Sequence, residues 1–119
     1  MAFTDLRVWQ QAMSLTLDVY RSTVNFPKHE VYGLTQQMRR AAVSVPSNIA
    51  EGKGHKSDRE LSRFLLHARG SLLELQTQVM IARELQYLNA VDGSRLLALA
   101  GDAGRSLNAL LNSVSEKAA

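Results

Sequence analysis

Apolar residues recur along this chain at steps of three and four, the spacing that places them on one face of a helix. Alternation at period two is short wherever it occurs, and Asp92-Gly93 is the single hairpin-type dipeptide. The pattern predicts four helices. The first runs from about Asp5 to Asn25 and carries two stripes. One is Leu6, Trp9, Met13, Leu17, Tyr20 and Val24; the other is Val8, Ala12, Leu15 and Val19. Phe26-Pro27 ends it, because the residue before proline resists the α region.

The second helix is predicted from about Lys28 to Glu51, with the stripe Val31, Leu34, Met38, Ala41, Val45 and Ile49. Pro46 lies inside it. A proline there cannot bond the carbonyl of Ala42, so the helix is expected to kink within a turn of it, at a cost of about 3 kcal/mol if nothing compensates. The Asn48 amide is the expected compensating donor, to the carbonyl freed at Ala42 or to another buried group. Gly52-Lys53-Gly54-His55-Lys56 reads as a loop.

Ser57-Asp58-Arg59-Glu60 fits a capping box, with Ser57 as N-cap and Glu60 reaching back to the Ser57 amide. A heptad seam follows from about Asp58 to Leu88: Leu61, Leu65, Ala68, Leu72, Leu75, Val79 and Ala82. Asn89 is the N-cap of a fourth helix over 90–115, with Leu96, Ala100, Ala103, Leu107, Leu110 and Val114 in the same rhythm.

Short connections make consecutive helices antiparallel neighbours. The fold class is therefore all-α, an antiparallel up-and-down four-helix bundle, as a single domain over 1–119. Gly33, Gly70, Gly101 and Gly104 fall inside the predicted helices, which suggests close helix–helix approach. The apolar positions exceed what one bundle buries. Helix one has its second stripe, helix three adds Leu66, Leu73, Met80 and Tyr87, and helix four adds Leu97, Leu99 and Leu111. That surplus points to self-association through the outer stripes.

Composition narrows the chemistry. The 119 residues include no cysteine, which excludes disulfides, zinc–thiolate sites, iron–sulfur clusters and cysteine nucleophiles. No apolar run approaches the roughly 18 residues of a membrane span, so no membrane partner is expected. Met1-Ala2-Phe3-Thr4-Asp5 lacks the basic and apolar regions of a signal peptide, and the expected location is cytoplasmic. His29, His55 and His67 form no Glu-x-x-His pair of the di-iron kind, so no metal site is read. No Walker loop or Gly-x-Gly-x-x-Gly occurs, and no cofactor is implied. Gly52-Lys53-Gly54 is too short a signal for a phosphate loop. The expectation is a protein that is not an enzyme.

The charge is uneven. The chain carries 14 basic and 11 acidic residues, net +3. Between Gln37 and Arg69 there are seven bases against three acids, so the whole excess lies around the corner of helices two and three. Arg39, Arg40, Lys53, Lys56, Arg59 and Arg63 are the candidate nucleic-acid-binding residues, holding phosphate by charge. Phe64 is the sole interleaved aromatic residue, so phosphate contact rather than base stacking is expected.

Several strings carry a family resemblance. Asp5-Leu6-Arg7-Val8-Trp9-Gln10, Phe26-Pro27 with Glu30, and Tyr32-Gly33-Leu34 are the first. The most specific block runs from Gln37-Met38-Arg39-Arg40 through Ser44-Val45-Pro46-Ser47-Asn48-Ile49-Ala50-Glu51-Gly52. Phe64-Leu65 and Ala68-Arg69-Gly70-Ser71-Leu72-Leu73-Glu74-Leu75-Gln76-Thr77 complete it. Over about Asp5 to Leu88 the chain resembles the four-helix-bundle proteins encoded in 23S rRNA intervening sequences. That family is similar to the accessory variability determinant of diversity-generating retroelements, a basic pentamer working with a reverse transcriptase and RNA. The resemblance implies a ring-shaped homopentamer, with RNA, DNA or a reverse transcriptase as partner. Pro46, Asn48, Glu51 and Gly52 have a structural reading, with Glu51 pairing Arg39 or Arg40 or capping a neighbouring helix. The function expected is a non-enzymatic oligomeric scaffold acting on nucleic acid through the basic corner. The alternative is a protein-only assembly module.

Overall fold

A computed structural model describes residues 1–118, with side chains through Ser115. Its helices are α1 (Arg7–Ser22), α2 (Leu34–Lys53), α3 (Asp58–Glu84) and α4 (Ala90–Ala118), and the described residues contain no strand. α1 packs on α2 and α4, α3 packs on the same two, and the backbones of the diagonal pairs stand further apart. This is a square, up-and-down bundle 46 Å long and 23 by 22 Å across. No helix among the described residues is long and apolar enough to cross a membrane.

α3 follows its heptad spacing closely. All seven seam residues from Leu61 to Ala82 are buried. Ser57 caps the helix, accepting the Glu60 amide at 3.3 Å. The reciprocal half of the expected capping box is replaced: the Glu60 carboxylate takes the Arg63 guanidinium at 2.9 Å instead. The helix ends at Glu84, four residues before the expected Leu88. Gln86 is left-handed there (φ 63), and the Tyr87 amide donates back to the Ala82 carbonyl at 2.9 Å, a Schellman closure. Asn89 caps α4 as expected, its side-chain oxygen accepting the Asp92 amide at 2.7 Å. Asp92-Gly93 lies within α4, as the expected helix over 90–115 requires.

α1 reverses the order of its two stripes. Val8, Ala12, Leu15 and Val19 are buried, while Leu17, Tyr20 and Val24 are exposed. Thr16 explains the choice. Its buried hydroxyl shares one proton between the Ala12 carbonyl (2.7 Å) and the Ala42 carbonyl (3.0 Å). Ala42 is the residue whose carbonyl Pro46 leaves without its helical donor. A threonine on the core face of α1 therefore stabilises the proline in α2, which runs continuously through that position. Asn48 therefore bonds another part-buried group rather than the Ala42 carbonyl. Its amide donates to the Ser44 carbonyl (2.8 Å) and hydroxyl (2.9 Å), and Ser44 in turn bonds Ser71 of α3 at 2.8 Å.

The stretch 28–33 is not part of α2. Lys28–Glu30 is a 3-10 turn, and α2 begins at Leu34, whose amide donates to the Glu30 carboxylate at 3.0 Å. Gly33 is the N-cap position, and a Cβ there would collide with that carboxylate. α1 likewise ends early, at Ser22, where the Thr23 hydroxyl bonds the Val19 carbonyl at 2.8 Å. The glycine expectation is redistributed. Gly70 touches nothing, while Gly52 is the tight contact: a Cβ on it would lie 2.8 Å from Cβ of Phe64. Gly52 is buried within α2, so the loop starts at Gly54, not Gly52.

Candidate nucleic-acid interface

The close approach at Gly52 brings the end of α2 onto the first turns of α3 and leaves four residues, 54–57, to connect them. Lys53, Lys56 and Arg59 project from this turn, all exposed and all without an ion pair among the described residues. Arg63 differs. It is salt-bridged to Glu60 at 2.9 Å, and its guanidinium lies 4.6 Å from the Phe64 ring centre. That bond lowers the Glu60 pKa and raises that of Arg63. The His55 ring stacks on Phe64 with centroids 5.0 Å apart. The turn thus presents two aromatic rings beside four cations. Sequence spacing gave no sign of the His55 ring, because a loop residue has no helical period to place it.

Arg39 and Arg40 sit elsewhere. They lie 13 to 14 residues before Lys53 on the same helix, about 20 Å along its axis. Arg39 spans the α1–α2 seam, donating to the Thr23 hydroxyl at 2.9 Å and covering the Tyr20 ring at 4.8 Å. Arg40 is exposed. Both line an open groove of about 590 Å³ along α2, with Tyr20 and Val31 on one side and Asn48 and Glu51 further along. Glu51 shares the groove but forms no ion pair with either arginine, which corrects that expected pairing. The six candidate cations therefore divide into a cluster of four at the turn and a pair in the groove.

The histidines are dispersed. His29 lies against Tyr87 at the opposite end of the bundle, its Nε2 3.4 Å from the hydroxyl, while His55 and His67 flank Phe64. Among the described residues no three potential metal ligands gather.

These features define a class: a four-helix up-and-down bundle whose distinctive polar surface is one helix–helix turn. The chain belongs to the 23S rRNA-intervening sequence protein family, whose model matches residues 4–109. Its fold is similar to the crystal structure of a protein of unknown function from the S23 ribosomal protein family of Bacteroides thetaiotaomicron. The TM-score is 0.79 at 15% identity, over 87% of this chain and 97% of that one. No curated protein sequence matches.

Proposed function

We propose that this protein is a non-enzymatic, cytoplasmic, oligomeric scaffold that holds RNA or DNA at the α2–α3 turn, with a nucleic-acid enzyme such as a reverse transcriptase as its protein partner. The observation carrying this reading is the set of three free cations, Lys53, Lys56 and Arg59, on the α2–α3 turn and the helix ends that flank it. Free cations release counterions from phosphate without first breaking an internal pair. Arg63 contributes less, because Glu60 already neutralises it. His55 on Phe64 adds a flat surface for an unstacked base, worth about 1–3 kcal/mol where a base stacks. A homo-oligomer, with a pentamer favoured by the family resemblance, repeats the turn and multiplies weak contacts by avidity. Titration of a structured RNA at two salt concentrations tests this. The expected result is binding that weakens steeply with salt; absence of binding at low salt contradicts it.

A protein-only assembly module is the second reading. The exposed apolar side chains of α1 and α3 favour it. It predicts the same oligomer with no salt-dependent RNA binding.

A further inference from the structure

Three threonines, Thr16, Thr23 and Thr35, are buried, and one differs from the others. Thr16 and Thr23 each bond a carbonyl four residues back. Thr35 is only 6% exposed, yet its hydroxyl oxygen has no partner. A buried hydroxyl without a partner is destabilising, because it has lost water and gained nothing in exchange. Thr35 lines two hollows at once. One is the open groove of about 590 Å³ along α2; the other, of about 350 Å³, lies beside Phe26 and Pro27. Val31 and Arg39 also line both, so the two hollows adjoin. In a helix threonine divides between two χ1 rotamers, so its hydroxyl turns to a new acceptor by rotation about a single bond.

The rest of the groove has two characters. Its wall is apolar, with Tyr20 and Val43 each 40% exposed and Val31 53%. Its floor is cationic. Thr35 and Arg39 are one turn apart on the same face of α2, with Arg40 beside them. Neither arginine forms an ion pair among the described residues. Glu51 stands further along, so two bases and one acid leave the groove a net charge of +1. The hollow between α3 and α4 is unlike it. Arg105 there is paired with Asp102, and among the described residues no unbonded buried oxygen lines it.

We infer that the α1/α2 groove binds a small apolar carboxylate. Arg39 and Arg40 hold the head group, the Thr35 hydroxyl donates to it, and Tyr20, Val31 and Val43 cover the chain. Arginine presents its N–H donors as a planar fork that matches a carboxylate. A single negative charge balances the groove's +1, whereas a phosphate dianion exceeds it. The volume lies within the range of small-ligand sites, which are mostly apolar with a few placed polar groups. An apolar protein surface laid over the groove would bury the Arg40 charge without an anion, which is costly. Arg40 lies about 20 Å along α2 from Lys53, so this site is separate from the α2–α3 turn and does not rest on the nucleic-acid reading.

Titration calorimetry with octanoate tests the site. Octanoate should bind more tightly than octanol, which has a chain of the same length without the charge, and more tightly than octyl phosphate. Arg40→Gln should weaken octanoate binding about tenfold or more, the worth of one charged hydrogen bond. Thr35→Val should also weaken binding, yet leave Tm unchanged or higher, because the hydroxyl it removes has no partner in the chain. Arg69→Gln, at an exposed arginine of the α3/α4 hollow, should bind octanoate as wild type does. Octanol or octyl phosphate binding as tightly as octanoate overturns the inference, as does wild-type affinity in Arg40→Gln or an equal loss in Arg69→Gln. A lowered Tm in Thr35→Val overturns it too, because the hydroxyl would then be bonded within the fold. A wild-type protein that takes up no octanoate overturns this site whether or not it binds RNA.

Discussion

The two ends of the bundle treat charge in opposite ways. At the end where α1 finishes and α4 begins, charges tie elements together. Arg95 of α4 bonds Asp18 of α1 at 2.8 Å and Asp92 at 2.7 Å, which holds its pKa above the ordinary value. Glu30 accepts the Leu34 amide and, at 3.0 Å, the Tyr87 hydroxyl. Those bonds lower the Glu30 pKa and raise that of Tyr87. At the α2–α3 end no ion pair among the described residues reaches between helices; α2 and α3 meet in apolar packing around Gly52, and Lys53, Lys56 and Arg59 are left unpaired. An ion pair at one end reaches between helices; at the other, the one ion pair among the described residues, Glu60–Arg63, stays within α3. An ion pair that reaches between helices constrains the fold, whereas an exposed lysine without a partner contributes little to stability.

That contrast breaks most readily at the contact that replaces charge. Gly52→Val pushes side-chain atoms into Phe64 and Leu61, and overpacking of this kind costs about 1–3 kcal/mol. Chemical denaturation should show the loss, and unfolding at wild-type denaturant concentration would refute the role given to Gly52. Thr16→Val keeps the shape but leaves the Ala42 carbonyl buried and unbonded, at a cost of about 1–3 kcal/mol. If Thr16→Val were neutral, Pro46 would need another explanation.

Smaller effects separate the two ends directly. Arg95→Ala should lower Tm, and Lys53, Lys56 and Arg59 changed together to Gln should leave stability within about 0.5 kcal/mol per site, as for ordinary surface substitutions. Equal losses at both ends would erase the distinction. Glu30 adds a pH signature. Because its folded pKa is lowered, its contribution is present above the unfolded value near 4.3 and is lost as pH falls through the lower folded value. Glu30→Gln should therefore lower Tm at neutral pH and converge on wild type in acid, as read by thermal melts across that range.

How much of this was legible depended on whether the deciding interaction was local. The α3 seam was readable because its burial follows a strict heptad and Ser57 caps it three residues from its acceptor. In α1 two apolar stripes compete, and by residue size exposed Tyr20 outweighs buried Ala12, so the pattern alone favours the wrong stripe. The stripe is decided by Thr16, whose partner is 26 residues away. The start of α2 carries no sequence signal, because its cap is a glutamate four residues upstream rather than a residue of the usual capping type. At the candidate site, composition located Lys53, Lys56, Arg59 and Arg63. Arg39 and Arg40 are the less secure members of the set on sequence grounds, since adjacent helix residues point about 100° apart, and the structure places them about 20 Å from the turn.

The central claim is that the α2–α3 end, and not its opposite, is the nucleic-acid surface. The direct measurement is the slope of log affinity for structured RNA against log salt in three proteins. These are wild type, Lys53, Lys56 and Arg59 changed to Gln, and a control with the exposed Arg21 and Lys28 of the other end changed to Gln. The turn variant should bind more weakly, with its slope flattened by up to about 0.9 per lost duplex phosphate contact, while the control keeps the wild-type slope. Equal slopes for the turn variant and wild type, or an equal loss in the control, would contradict it.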